Sequence, residues 1–393
     1  MNTEKLKLFF SGRKDLLKRM KSALDSADGI IWFHVASLGE FEEARPVIDR
    51  TRERFPDAKI LLTFFSPSGY EPRKNYRSAD WVFYLPLDFP WNVRRFLDIV
   101  RPAKAVFTIG EHWFFLMREL RRRRIDTYIM SVRIEPDSPY LKWFGFPYRR
   151  IFRKSYNCVM VQNDRSLEIF RGMGVPRVKK VGDARVDSVL EVSREDWHNP
   201  ILEQWCNGEK VFISGSNCPG GDDELVIAMA KAHPGDKFLV IPHEMDAEPI
   251  QHMLSEVEAS ALYSSFEQNG AEGLDKVRFL IVDKVGMLSR LYRYGYAAFV
   301  GGGFQIMPHS VVEPAVYGLP VLVGPKYGRE VHVRNLIGLG AATSVKTPRE
   351  AIEWYDRIHQ NEEWRLRAGA AASAYCLRSS GATEKIMEII FKA

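Results

Sequence analysis

Several polar and glycine residues with chemical capacity stand where apolar runs stop. IIWFHVAS ends in Ser37-Leu38-Gly39-Glu40 and AKAVFTIG is followed by Glu111. KVFIS ends in Gly215-Ser216-Asn217, KFLVI in Pro242-His243-Glu244, and YAAFV in Gly301-Gly302-Gly303. A carboxylate on a glycine-flanked loop close to a helix start holds its negative charge against the helix dipole. In a partly dry site such a group takes a proton from an attacking hydroxyl. Capping of a helix that begins near Phe41 accounts for Glu40 equally well. The glycine run allows close backbone approach to a ligand. It leads through His309-Ser310-Val311-Val312-Glu313-Pro314 to a helical AVYG. A glycine turn ahead of a helix N-terminus suits a phosphate, and Glu313, one turn in, has the reach for a ribose diol or serves as a capping glutamate. GxGxxG and GxxxxGK[ST] are absent, so a dinucleotide fingerprint and a P-loop are unsupported. HExxH and G-x-S-x-G are also absent, so the spacing predicts neither a metal site nor a serine-hydrolase elbow.

The elements that must position these residues alternate. IIWFHVAS, KILLTFF, WVFYLPL, AKAVFTIG, DTYIMSV, YNCVMVQ and VKKVGD read as buried strands, separated by helical stretches such as EFEEARPVIDRTRERF. The stretch 188–208 is polar, has no strand-like run and reads as a linker. The pattern then restarts with KVFISGS, KFLVIPH, VRFLIVD, YAAFVGGG and LPVLVGP. Strand–helix alternation predicts an α/β fold of two doubly wound domains with a cleft between them. The predicted boundaries are an N-terminal segment 1–29, a first domain 30–187, the linker 188–208, a second domain 209–382 and a closing helix 383–393 that crosses back to the first domain.

Composition bounds the rest. The 393 residues, 46% hydrophobic and 27% charged, suit a globular chain of two domains. No apolar run is long enough to span a membrane, and no signal peptide is apparent. Cys158, Cys206, Cys218 and Cys376 stand singly and read as buried thiols in the cytoplasm. Net charge is only +6, with no nucleic-acid partner implied, but its distribution is uneven. Residues 1–24 carry seven basic against two acidic side chains, and 140–154 (YLKWFGFPYRRIFRK) interleaves five cations with six aromatic rings. Both compositions suit an anionic membrane surface, and both also fit ordinary amphipathic helices.

The ordered series SLGE, TFFSPSGYE, YLPLDFPWNVRRFL, Glu111-His112-Trp113, VQNDRSLEIFRGMGV, VGDARVDSV, SGSNCPGGDDEL, GGG and EPAVYGLPVLVGP resembles the Kdo transferases of lipopolysaccharide assembly from about residue 30 onward. The resemblance implies a GT-B glycosyltransferase of two Rossmann-like domains, acceptor on the first and donor on the second. It implies CMP-Kdo as donor, a lipid A precursor as acceptor, inversion at the anomeric carbon, no metal and no cofactor. Glu40 becomes the general base, with Glu111 orienting the acceptor or supporting it. Ser37, Gly39, Ser66, Ser68 and Arg185 fall on the acceptor and loop side. Gly215, Ser216, Asn217, Pro242, His243, Gly301, Gly302, Gly303, His309, Ser310 and Glu313 fall on the donor side. The implied location is peripheral, on the cytoplasmic face of the bacterial inner membrane. Departures fall at four places: a basic amphipathic stretch precedes Ile30 where many relatives carry an apolar anchor, Ile109-Gly110-Glu111 lacks one family carboxylate, Ser310 stands where asparagine is common, and SVRIEPDSPY differs from most members. A nucleotide-sugar 2-epimerase of the same architecture is the rival enzyme. A catalytically silent binding protein is the rival of another class.

Overall fold

The computed structural model describes residues 3–25, 27–110, 113–328 and 330–392. The chain divides into two compact units, Met1–Ser188 with Ser379–Ala393, and Val189–Arg378. In the first, β1 (Ile30–Val35), β2 (Ile60–Phe64), β3 (Trp81–Tyr84), β4 (Pro102–Thr108), β5 (Asp126–Val132), β6 (Cys158–Val161) and β7 (Val178–Lys180) form one sheet in the order β3-β2-β1-β4-β5-β6-β7. All its pairings are parallel. The apolar runs are continuous because helices cover both faces. Trp32 and Phe107 pack into a core on one side, while Phe33, Val35 and Val106 pack on the other.

The second unit repeats the plan. Its strands are β8 (Val211–Asn217), β9 (Lys237–Pro242), β10 (Ser260–Leu262), β11 (Phe279–Ile281), β12 (Ala297–Val300), β13 (Val321–Val323) and β14 (Ala342–Ser344), in the order β10-β11-β9-β8-β12-β13-β14 and all parallel.

Three differences from the sequence reading have physical causes. β10 and β14 carry no long apolar run, since an edge strand of three residues buries too little to need one. β3 and β7, also at edges, are only partly buried. The stretch 188–208 is helical in large part, through Ala184–Arg194 and Pro200–Cys206. Leu202 and Trp205 of the latter helix are buried in the second core, so this segment belongs to a domain instead of lying between two.

The closing helix, Ala382–Phe391, packs in the first unit. Its Ile386, Met387 and Ile390 are fully buried with Phe41, Ala44, Val47 and Ile48 of the helix that follows β1. Asp187 caps its start, the carboxylate accepting from the Gly381 N–H at 2.6 Å and the Thr383 N–H at 2.7 Å.

Candidate active site

Parallel sheets present ligands to the carboxyl ends of their strands, at the point where the winding direction reverses. In the first sheet that point lies between β1 and β4. The helix after β1 runs Leu38–Arg54, with Ser37 as an extended N-cap whose side chain makes no cap bond. Glu40 therefore sits inside the first helical turn, not on a loop before a helix at Phe41. Its side chain folds back, and Oε2 accepts from the Ala36 N–H at 2.6 Å. That bond satisfies an amide at the strand end and fixes the carboxylate on the helix N-terminus, where the dipole favours its charge. The neighbouring Gly39 is exposed, and a Cβ placed on it would meet nothing within 4 Å, so the approach beside Glu40 is open. The Ser66 N–H donates to the Ala36 carbonyl at 2.7 Å, which ties the loop after β2 to the same strand end. Ser66 caps the next helix and lies 2.9 Å from the Ser68 hydroxyl. Glu111, expected beside Glu40 after β4, lies outside the described residues. The chain leading to it has Ile109 at φ +60°, a strained conformation for a β-branched residue.

One turn beyond Glu40, a polar node not foreseen from sequence is buried at the same sheet edge. The Glu43 side chain is 2% exposed. Gln162, just past β6, donates to its Oε2 at 3.1 Å. Arg185 approaches its Oε1 to 3.6 Å and Arg133, just past β5, to 4.0 Å. Arg185 is held by Asp183, which accepts from its Nε at 3.1 Å and its Nη2 at 2.6 Å. A bulge in β5, with Ser131 at φ +60°, shifts register between Ile129 and Val132 and re-aims this strand end. Burial pushes the Glu43 carboxyl up to about 7, against the opposing pull of Arg185, Arg133 and Ser131, with Asp183 adding to the rise. In sequence, Glu43 belongs to an acidic stretch that reads as a solvated helix face, so no signal marked it.

The switch point of the second sheet falls between β8 and β12. β8 also ends in a bulge around a left-handed serine, Ser216 at φ +53°, with Gly215 and Asn217 on either side. A methyl group on Gly215 would overlap the hydroxyl of buried Tyr292. Asn217 is turned inward: it accepts from the Ser214 hydroxyl at 2.8 Å and donates to Asp223. The buried Asp222 carboxylate staples two strand ends, accepting from the Cys218 N–H at 3.0 Å and the Gly302 N–H at 2.7 Å. The Gly301–Gly303 turn therefore does not run straight into a helix. The helix expected there is five residues long, Val312–Val316, too short for a strong N-terminal anion site. Glu313, in its first turn, accepts from the Ser289 hydroxyl at 2.7 Å. Pro242 closes β9, and the His243 N–H donates to the Asn217 carbonyl at 2.8 Å. The exposed His243 ring stacks on His309 with centroids 4.1 Å apart, and Ser310 follows, half-buried. Burial, then His243, pushes His309 down to about 4. It is neutral near pH 7 and serves as a hydrogen-bonding ring, not as a cation.

Exposed aromatic side chains gather after the strands of the first unit. Phe89 and Trp91 follow β3 and stack with centroids 5.2 Å apart; Phe114 follows β4; Trp143, Phe144, Phe146 and Tyr148 follow β5. Trp143 is 85% exposed and Trp91 61%. Phe10 is exposed on the N-terminal helix Thr3–Ser11, and Arg13 pins the end of that helix to the sheet edge through the Phe65 and Leu85 carbonyls at 2.7 and 3.1 Å. Among the described residues no helix is long and apolar enough to cross a membrane. Nor does any group of three or more His, Cys, Asp or Glu among them have the arrangement to hold a metal ion. The four cysteines are buried and free.

Comparison with known proteins shows what the chain is similar to. The family model described as 3-deoxy-D-manno-octulosonic-acid transferase (kdotransferase) matches residues 11–188. The 3-deoxy-D-manno-octulosonic acid transferase of Aquifex aeolicus is 26% identical over 350 residues, covering 86% of this chain and 89% of that protein. The chain is similar to the Kdo transferases along most of its length. The Haemophilus influenzae Kdo transferase is 22% identical over 371 residues, covering 92% of this chain and 86% of that protein. Among solved structures, the UDP-GlcNAc 2-epimerase of Neisseria meningitidis bound to UDP-GlcNAc superposes with a TM-score of 0.65 at 15% identity, covering 93% of this chain and all of that one. A putative UDP-N-acetylglucosamine 2-epimerase from Listeria monocytogenes gives 0.63 at 13% identity, with 93% and 96% covered. At such identities the likeness is one of fold: two Rossmann-like units of the GT-B glycosyltransferase and epimerase type.

Proposed function

We propose that this protein is an inverting, metal-independent glycosyltransferase that moves Kdo from CMP-Kdo to a lipid A precursor. The observation that carries the reading is Glu40. It is a carboxylate on the first helical turn after β1, at the winding reversal of its sheet, oriented by the Ala36 amide and approached through the space that Gly39 leaves open. An acceptor hydroxyl beside it attacks the anomeric carbon of Kdo. The new C–O bond forms as the bond to the CMP phosphate breaks, the hydroxyl proton passes to Glu40, and CMP departs with the bonding pair. Ser216 and His243 are the groups proposed to meet the charge that develops on the phosphate. Glu313, with Ser289 fixing one of its oxygens, is assigned to the donor ribose or sugar. Glu111 is assigned to the acceptor side.

The exposed aromatic and basic surface of residues 1–24 and 140–154, extended by Phe89, Trp91 and Phe114, is proposed to rest on the cytoplasmic face of the inner membrane, where a lipid acceptor lies. A nucleotide-sugar 2-epimerase shares the architecture, but it has no use for a lipid-facing aromatic surface.

The test is release of CMP from CMP-Kdo in metal-free buffer, with and without a detergent-dispersed lipid A precursor. Acceptor-dependent release, with Kdo recovered on the lipid, is the expected result. Glu40→Gln should keep CMP-Kdo binding and lose transfer by at least about two orders of magnitude. Undiminished transfer in that variant removes Glu40 from the mechanism.

A further inference from the structure

Arg13 precedes the first strand and belongs to no catalytic motif, yet a series of short hydrogen bonds joins it to Glu40. Its Nη2 donates to the Phe65 carbonyl at 2.7 Å. The peptide that carries this carbonyl also carries the Ser66 N–H, which meets the Ala36 carbonyl at 2.7 Å. The Phe65 N–H donates to the Val35 carbonyl at 3.2 Å, so both peptide units flanking Ala36 are gripped from the β2 side. One of them supplies the Ala36 N–H that donates to Glu40 Oε2 at 2.6 Å. Regular pairing of β1 with β2 ends at Val35 and Phe64. Beyond that point the two segments depend on these bonds and on what holds Phe65. The holders are the Arg13 guanidinium, 5.0 Å over the Phe65 ring, the Phe9 ring at 5.3 Å, and the Trp113 ring at 4.6 Å. A tether for the helix Thr3–Ser11 needs only the bond from Nη1 to the Phe9 carbonyl, 3.0 Å. The other two nitrogens reach adjacent strand ends instead, Nη2 at Phe65 after β2 and Nε at Leu85 after β3, 3.1 Å. A rigid guanidinium fork spans such a pair, whereas an ammonium does not. Burial lowers this guanidinium to about 10 against the opposing effect of Tyr84, and it stays charged near pH 7. Among the described residues its hydrogen bonds all go to carbonyls and none to a carboxylate. A half-buried charge held in this way costs desolvation. In return it makes charge-assisted bonds to chosen carbonyls. A methyl group on Gly12 would overlap the Tyr84 ring, so the segment already lies as close to the end of β3 as packing allows.

We propose that Arg13 is a positioning residue for the reaction: through the Phe65–Ser66 segment it fixes the Val35–Ala36 strand end, and with it the direction in which Glu40 presents its carboxylate. This rests on the reading of Glu40 as the base. Arg13 acts through the backbone, not on a substrate. A base turned slightly out of line meets the acceptor hydroxyl at the wrong angle, and small misplacements of this kind are costly. The N-terminal segment, assigned above to the membrane surface, is in this way also part of the framework of the base.

The experiment measures transfer by the full chain from CMP-Kdo to a lipid A precursor in uncharged detergent, with each substrate varied in turn. Arg13→Gln should lower kcat by about tenfold or more and leave KM for CMP-Kdo unchanged. Arg13→Lys, which keeps one charged donor, should recover part of the loss. Combined with Glu40→Gln and followed in single turnover, Arg13→Gln should cost nothing further, because residues that act through one group are not additive. Losses that multiply in the double variant mark a general weakening of the fold and overturn the proposal. An unchanged kcat in Arg13→Gln overturns it too. So does an effect confined to KM for the lipid, which assigns Arg13 to the membrane surface alone. Backbone amide exchange gives a reading that needs no activity. In Arg13→Gln it should quicken at Ala36 and Ser66 while the β2 amides keep their wild-type protection. Should Arg13→Gln fail to fold, Gly12→Ala displaces the same segment with the guanidinium retained. It should show the same loss of kcat and faster exchange at Ser66, and wild-type values of both overturn the proposal. If the wild-type protein transfers no Kdo, the glycosyltransferase reading fails. Exchange at Ala36 and Ser66 then decides the positioning by itself, and unchanged rates overturn it.

Discussion

Replacing Glu43 by glutamine tests the buried node directly through stability. The side chain keeps its shape and loses its titration. In the folded protein burial raises the Glu43 carboxyl from the ordinary 4.5 to about 7, against Arg185, Arg133 and Ser131, with Asp183 assisting and Gln162 hydrogen-bonded to one oxygen. Below pH 4.5 the group is protonated in both folded and unfolded chains, and its favourable contribution is complete. As pH rises the unfolded chain releases the proton first, so that contribution drains away between 4.5 and about 7 and stays lost above. A difference of roughly 2.5 pH units at 1.36 kcal/mol each gives about 3 kcal/mol. Glutamine feels none of this. Urea unfolding of both proteins from pH 4 to pH 8 should show Glu43→Gln gaining about 3 kcal/mol relative to wild type across that window. Groups distant from the node titrate alike in both proteins and cancel in the difference. A difference that stays flat with pH, or that moves toward the wild type as pH rises, would refute the reasoning. It would mean that the two arginines hold Glu43 as a stable anion in spite of its burial.

Other perturbations follow from the same geometry. Gly215→Ala drives a methyl group into the Tyr292 hydroxyl; it should destabilise the second unit by about 1–3 kcal/mol and weaken CMP-Kdo binding, as read by calorimetry. Asp187→Ala removes the acceptor for the Gly381 and Thr383 amides, costing about 1–2 kcal/mol, with faster hydrogen exchange confined first to the helix Ala382–Phe391. His309 is pushed down to about 4, so it favours the folded protein above pH 6.5 and loses that contribution as pH falls toward 4; His309→Gln should flatten stability over that interval. Trp143→Ser with Trp91→Ser should lower partition onto anionic vesicles while leaving CMP-Kdo binding unchanged, checked by sedimentation.

Much of this architecture was legible because parallel strands buried on both faces must be apolar throughout, as in IIWFHV and AAFV. The strand ends carrying Glu40, Gly215 and Gly301 were visible for the complementary reason, since polar and glycine residues interrupt such runs where the sheet opens. What sequence concealed depends on partners far along the chain. Glu43 reads as one more charge in EFEEAR until Gln162, Arg133 and Arg185 arrive from three later elements. Asn217 looks as available as Ser216, yet its amide is consumed by Ser214 and Asp223. The serines at 131 and 216 carry no mark of their left-handed backbone, because the bulge that demands it is set by the neighbouring strands.

The closing helix gives this protein an unusual order of assembly. The residues that bury Phe41, Val47 and Ile48 on the Glu40 helix are Ala382, Ile386, Met387 and Ile390, a segment made only after the whole second unit. During synthesis the first unit is begun before the second and completed after it, waiting with an uncovered apolar helix face while the whole of Val189–Arg378 is made. A chain cut before Ala382 thus has its proposed base on an unsupported helix, and loss of the helix Ala382–Phe391 would disarm the site from its far side. Activity in this design doubles as a report that translation has passed Ile390.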